Sequence, residues 1–132
     1  MILVAGATAL GRLIAERPAG RDDTVLGMRG PRLFKAPLPV CRIDFDGPGT
    51  LVGGFGTVDV LLLVSAGCGG DDTVVARHDA AIGAAEKAGV GHVVHTSLTA
   101  GGDHLPCALP HRWTGRRLRR SSMGWAILRS GL

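Results

Sequence analysis

The sequence predicts an open, doubly wound parallel α/β sheet. Three observations carry this expectation. The chain opens on a continuous apolar run, residues 1–5, that ends at Gly6. A second, longer apolar run fills residues 58–65. Between and after these runs, strand-like and helix-like segments alternate. Strands buried on both faces read as unbroken apolar runs, and alternation with helices is how parallel strands are connected.

The elements follow in order. Residues 1–5 form the first strand. Leu10, Leu13 and Ile14 recur at helical spacing, so a helix opens near Ala9 or Leu10. Pro18 lacks an amide hydrogen and keeps that helix short. Residues 24–29 read as a second strand, residues 30–39, with three prolines, as a loop, and residues 40–43 as a third strand. Residues 46–56 hold a helix around Leu51 and Val52. Gly53 and Gly54 weaken it by about 1 kcal/mol each relative to Ala. Residues 58–65 form the strongest strand, apolar on both faces. Asp71 or Asp72 caps the next helix, which carries Val75, His78, Ile82 and Ala85 on one face and stops at Gly89. Residues 90–97 form another strand, residues 110–122 a basic helix, and residues 125–128 a last strand.

With 132 residues, of which 45% are hydrophobic, the chain suits one folded domain over residues 1–132. No repeat or internal boundary is visible. Cys41, Cys68 and Cys107 are three in number and widely spaced, which argues against a disulfide framework and for a reducing, cytoplasmic setting. The opening apolar run is too short for a signal peptide, and neither apolar run is long enough to span a bilayer. The net charge is +4, and no acid follows Asp103. Arg112, Arg116, Arg117, Arg119, Arg120 and Arg129 fall in that last segment with only Trp113 interleaved. They point to a solvated helix face, and a basic nucleic-acid-binding domain is the third functional reading.

The loop Gly6-Ala7-Thr8-Ala9-Leu10-Gly11 follows a buried strand and opens a helix. A glycine turn there exposes backbone amides to a pyrophosphate. About 20 residues on, proteins that select NAD carry an acid for the ribose 2′-hydroxyl. Here the chain reads Gly27-Met28-Arg29-Gly30. Arg29 either pairs with a 2′-phosphate, favouring NADP(H), or is a surface arginine at a strand end.

Further segments make the pattern more specific. Asp44-Phe45-Asp46 follows the third strand, and Ser65 ends the fourth. Residues 84–97 read AAEKAGVGHVVHTS and residues 127–131 read ILRSG. In this order the motifs resemble the NmrA-like branch of the atypical short-chain dehydrogenase/reductases, nearly end to end. The resemblance implies a Rossmann-like three-layer αβα fold that binds NADP(H) in preference to NAD(H). It implies that Gly6, Thr8, Leu10 and Gly11 face the phosphates and that Arg29 meets the 2′-phosphate. Asp44 and Phe45 would lie beside the adenine, and Ser65 and Ser97 near the ribose and nicotinamide. It implies an oxidoreductase-like domain acting on a small carbonyl or quinone, with Ser97 and His111 as candidate proton-transfer residues. The alternative is a dinucleotide sensor without turnover, or a remnant completed by a protein partner or by self-association.

Several positions depart from the family pattern. Ala9 stands in a shortened loop where a central glycine is usual, and Gly115 stands where a glutamate is common. Tyr is absent, so no Tyr-x-x-x-Lys pair exists. The chain stops at Leu132, just after the ILRSG segment, so the C-terminal substrate lobe of the relatives is expected to be missing.

Two smaller groups are weighed on spacing. His104, Cys107 and His111 offer only three metal ligands in a loop with two prolines, which reads as coincidence. His95 and Ser97 share a strand face, but no acid is placed to orient His95, which disfavours a hydrolase. His78 reads as a core or boundary histidine.

Overall fold

The computed structural model describes residues 1–6, 9–17, 23–31, 38–64, 70–98 and 108–130. Among the described residues there are six strands: β1 (Ile2–Ala5), β2 (Thr24–Met28), β3 (Val40–Arg42), β4 (Val60–Leu63), β5 (His92–Leu98) and β6 (Gly124–Ser130). The same residues include four helices: α1 (Ala9–Ala15), α2 (Pro48–Phe55), α3 (Asp71–Ala88) and α4 (Ala108–Arg119). All neighbouring strands are parallel, in the order β3-β2-β1-β4-β5-β6. This is the doubly wound order expected from the alternation of elements. The order reverses between β1 and β4, where Ile2–Ala5 runs in register with Val60–Leu63.

The two faces of the sheet are covered unequally. Leu3, Ala5, Leu61, Leu63 and Val93 meet Leu51 and Phe55 of α2, Ala81, Ile82 and Ala85 of α3, and Leu118 of α4 in the main core. On the other face Val4, Leu26, Met28 and Val64 form a smaller cluster, with Ile14 of α1 packed on it. This asymmetry corrects the expectation for β4. Leu61 and Leu63 are buried, but Val60 and Leu62 are only half-buried.

Three local readings are also corrected. Leu10 and Leu13 point outward, 45% and 56% exposed, whereas Gly11 is buried and Ile14 half-buried. The N-cap of α3 is Gly70 and not an aspartate; Asp71 and Asp72 occupy its first turn, where carboxylates favour the positive end of the helix dipole. The buried face of α3 carries Val74 in place of Val75, with His78, Ala81, Ile82 and Ala85. Gly89 ends α3 as expected, at φ 78°, and its amide meets the carbonyls of Ala85 and Glu86. α2 forms despite Gly53 and Gly54. Leu51 and Phe55 bury its inner face, and a Cβ on Gly54 would lie 2.2 Å from Ile43 Cδ1. That glycine lets the helix approach the end of β3.

Among the described residues no helix is long and apolar enough to cross a membrane. The late arginines divide into two groups. Arg117 is tied to α3 through Glu86 at 2.9 Å and Asp79 at 3.2 Å. Arg112, Arg116, Arg119, Arg120 and Arg129 are exposed, with Arg119 over the Trp125 ring at 5.6 Å. Arg112, Arg116 and Arg119 lie on α4, where an exposed helix face was expected; Arg120 follows the helix and Arg129 lies on β6.

Candidate functional site at the C-terminal edge of the sheet

Parallel packing brings residues far apart in sequence to one edge. Gly6 follows β1, Arg29 follows β2, Asp44 and Phe45 follow β3, Val64 follows β4, and Ser97 lies near the end of β5. In open parallel sheets ligands bind outside this edge, at the point where strand order reverses. That point is the β1–β4 crevice. Val64 closes it from one side, donating its amide to the Ala5 carbonyl at 2.9 Å.

The two glycines of the first loop have structural reasons to be glycine. Gly6 sits at φ 104°, and a Cβ there would lie 2.6 Å from the Val64 carbonyl oxygen. A Cβ on Gly11 would lie 2.2 Å from the Gly6 carbonyl oxygen. Gly11 thus lets α1 close onto the end of β1, which is the helix–strand packing role of a glycine in such loops. Thr8 and Ser65, expected at this edge, lie outside the described residues, as do His104 and Cys107. Leu10 is at the start of α1 and exposed.

Arg29 is exposed at the end of β2. Its charge reaches Asp46, whose carboxyl is held below its usual range, first by hydrogen bonds from Arg77. Those bonds span 2.9 and 3.0 Å. Asp44 is organised by a local turn. Its amide donates to Thr50 Oγ1 at 2.9 Å, and its Oδ1 accepts from the Asp46 amide at 3.0 Å. Thr50 Oγ1 donates in turn to the Gly47 carbonyl at 2.7 Å. Asp44 is therefore fixed at the β3 end before any ligand arrives.

Sequence reasoning missed a group of three histidines. His78 of α3, His95 of β5 and His111 of α4 lie together under this edge. Their ring centroids are 5.3 Å (His78–His95), 5.5 Å (His95–His111) and 6.4 Å (His78–His111) apart. His78 and His95 are fully buried, and His111 is half-buried. His78 Nδ1 is hydrogen-bonded to Thr114 Oγ1 at 2.7 Å, His95 Nδ1 to the Leu63 carbonyl at 3.3 Å, and His111 Nδ1 to His95 Nε2 at 3.4 Å. Burial lowers the His78 pKa to about 3 and that of His95 to about 4, with the neighbouring rings adding to the effect. Burial also lowers the pKa of His111. Ser97, 8% exposed, shares the strand face of His95. The backbone carbonyl of Leu63 orients His95, a role for which the sequence offered no acid. No group of His, Cys, Asp or Glu among the described residues is arranged to hold a metal ion.

The strand order, the switch-point crevice and its glycines define a dinucleotide-binding type of fold. Comparison with solved structures narrows this. The chain is similar over 100% of its length to the triphenylmethane reductase of Citrobacter sp. complexed with NADP(H), at TM-score 0.89 and 25% identity. It is similar over 98% of its length to an NADPH-dependent quinone oxidoreductase from Escherichia coli complexed with NADPH, at TM-score 0.85 and 28% identity. A nucleoside-diphosphate-sugar epimerase from Staphylococcus aureus shares the fold, at TM-score 0.85 and 18% identity over 97% of the chain. The chain spans about half the length of these proteins, 50%, 48% and 49% respectively. No protein-family model and no curated protein sequence matches it. This likeness to NAD(P)-binding Rossmann proteins agrees with the motif order, which resembles the NmrA-like, atypical short-chain dehydrogenase/reductases, and it covers about half the length of the matched proteins.

Proposed function

We propose that this chain is the NADP(H)-binding part of an oxidoreductase that passes hydride between the nicotinamide and a small carbonyl or quinone. The observation that carries the reading is the match, over 100% and 98% of this chain and about half of each matched protein, to a triphenylmethane reductase complexed with NADP(H) and a quinone oxidoreductase complexed with NADPH, at 25% and 28% identity. The site supports it in detail. Arg29 stands exposed where a 2′-phosphate would arrive, and no acid competes for that position in Gly27-Met28-Arg29-Gly30. Gly6 and Gly11 would let the β1–α1 turn lie close to the pyrophosphate, Leu10 would flank it, and Asp44 and Phe45 would border the adenine. Ser97 and His111 would face the nicotinamide end. The bound dinucleotide supplies the hydride; the chain orients it and sets the hydrogen bonds around the acceptor.

The test is to mix the protein with NADPH and a quinone and follow loss of the reduced-nicotinamide absorbance. Quinone-dependent oxidation supports the full reading. NADPH binding without oxidation identifies a dinucleotide sensor in place of an enzyme. If NADPH does not bind, the cofactor assignment is wrong.

A further inference from the structure

We propose that His95 is a positioning residue that fixes the tautomer of His111, so that His111 offers Nε2 as a hydrogen-bond acceptor to a ligand hydroxyl at the C-terminal edge. The ligand half of this inference rests on the dinucleotide reading above; the tautomer half does not.

The direction of the chain of hydrogen bonds is set at its buried end. A backbone carbonyl can only accept, so the His95 nitrogen facing Leu63 carries the hydrogen, on Nδ1. His95 is fully buried and neutral at physiological pH, so its Nε2 is a bare lone pair. The facing His111 Nδ1 must then bring the next hydrogen. His111 is neutral too, because burial lowers its pKa, and its own Nε2 is left without a proton. The two nitrogens of an imidazole point in nearly opposite directions. With Nδ1 turned inward to a buried ring, Nε2 of this half-buried histidine is directed away from the core.

The origin of this chain lies close to the proposed dinucleotide site. Leu63 is the last residue of β4, and the next residue, Val64, borders Gly6 at the crevice. His78 and Thr114 brace the group from α3 and α4. An imidazole held in this way accepts from a hydroxyl and does not donate to a carbonyl. His111 is therefore unsuited to be the general acid, and it fits either a ribose hydroxyl of the dinucleotide or the hydroxyl of a hydroquinone.

Histidine tautomers are read by long-range 1H–15N correlation on 15N-labelled protein at pH 7.5. Nδ1–H signatures for both His95 and His111 are expected; an Nε2–H signature at His111 overturns the proposal. In His95→Leu, His111 is expected to revert to the Nε2–H form that free imidazole side chains favour. His95→Gln, whose amide oxygen replaces the acceptor, is expected to keep Nδ1–H. A folded His95→Leu protein with His111 unchanged would show that His95 is not the cause. If that variant does not fold, the wild-type and His95→Gln spectra decide. For the ligand, NADP+ alone and then 1,4-benzohydroquinone are added. An upfield shift of His111 Nε2 with the first identifies a ribose hydroxyl, and a shift only with the second a substrate hydroxyl. If NADP+ binds and neither addition moves the resonance, the ligand half is wrong. Failure of NADP+ to bind removes both the dinucleotide reading and the ligand half, and the tautomer result stands apart.

Discussion

Acidification should unfold this protein from within, through the buried histidines. In the unfolded chain a histidine protonates near pH 6.5, whereas the folded protein holds His95 at about 4 and His78 at about 3. Below pH 6.5 the unfolded state therefore binds more protons than the folded one. The stabilisation is complete above pH 6.5 and is lost as pH falls towards the folded values. Each group loses roughly 1.4 kcal/mol per pH unit over that range. At pH 5 this amounts to about 2 kcal/mol per histidine, so about 4 kcal/mol for the pair relative to pH 8. Domains are commonly stable by only about 5–15 kcal/mol, so the effect is large. The depressed pKa of His111 adds in the same direction. Asp46 and Glu86 are also depressed, but from 3.8 and 4.5, so their contributions are lost only at lower pH. Urea unfolding at pH 8, 6.5, 5.5 and 5 measures the slope. His78→Asn keeps an amide in the place of Nδ1 opposite Thr114 and should remove about half of it. Stability that stays flat from pH 8 to pH 5 would refute the neutral, buried state of the cluster.

Two substitutions at glycines should have opposite signs. Gly11→Ala places a Cβ 2.2 Å from the Gly6 carbonyl oxygen, so thermal denaturation should report a loss of about 1–3 kcal/mol as α1 is pushed from β1. Gly83→Ala in α3 meets nothing within 4 Å and should gain about 1 kcal/mol by helix propensity, read as a raised Tm.

The sequence revealed the frame because parallel sheets write it in a simple code. The apolar run at residues 58–65 marked the central strand, which the structure bounds at Val60–Leu63, and Gly89 marked the end of α3. Burial of side faces was less legible. Leu10 and Leu13 have helical spacing, but spacing alone does not say which side of a short helix turns inward; the contact of Gly11 with Gly6 decides that. The cap of α3 was misread because Asp71 and Asp72 are good caps by type, while the backbone turn at Gly70 sets the first residue. At the candidate edge, Arg29, Asp44 and Ser97 lie together because each follows or ends a strand and parallel strand ends converge; the sequence singled out Arg29 by its place after a strand, and Asp44 and Ser97 through the family resemblance. The histidines were not found as a group. His78, His95 and His111 lie 17 and 16 residues apart on three different elements, and no spacing rule joins them. The one available signal was a polar His95 in the inward phase that Val93 sets on its strand.

The central claim is that this crevice binds a dinucleotide carrying a 2′-phosphate. Calorimetric titration with NADPH and with NADH, on the wild-type protein and on Arg29→Ala, tests it most directly. Tighter binding of NADPH than of NADH, with the difference lost in Arg29→Ala, is the predicted result. Equal affinity for the two in the wild-type protein, or binding of neither, would contradict it.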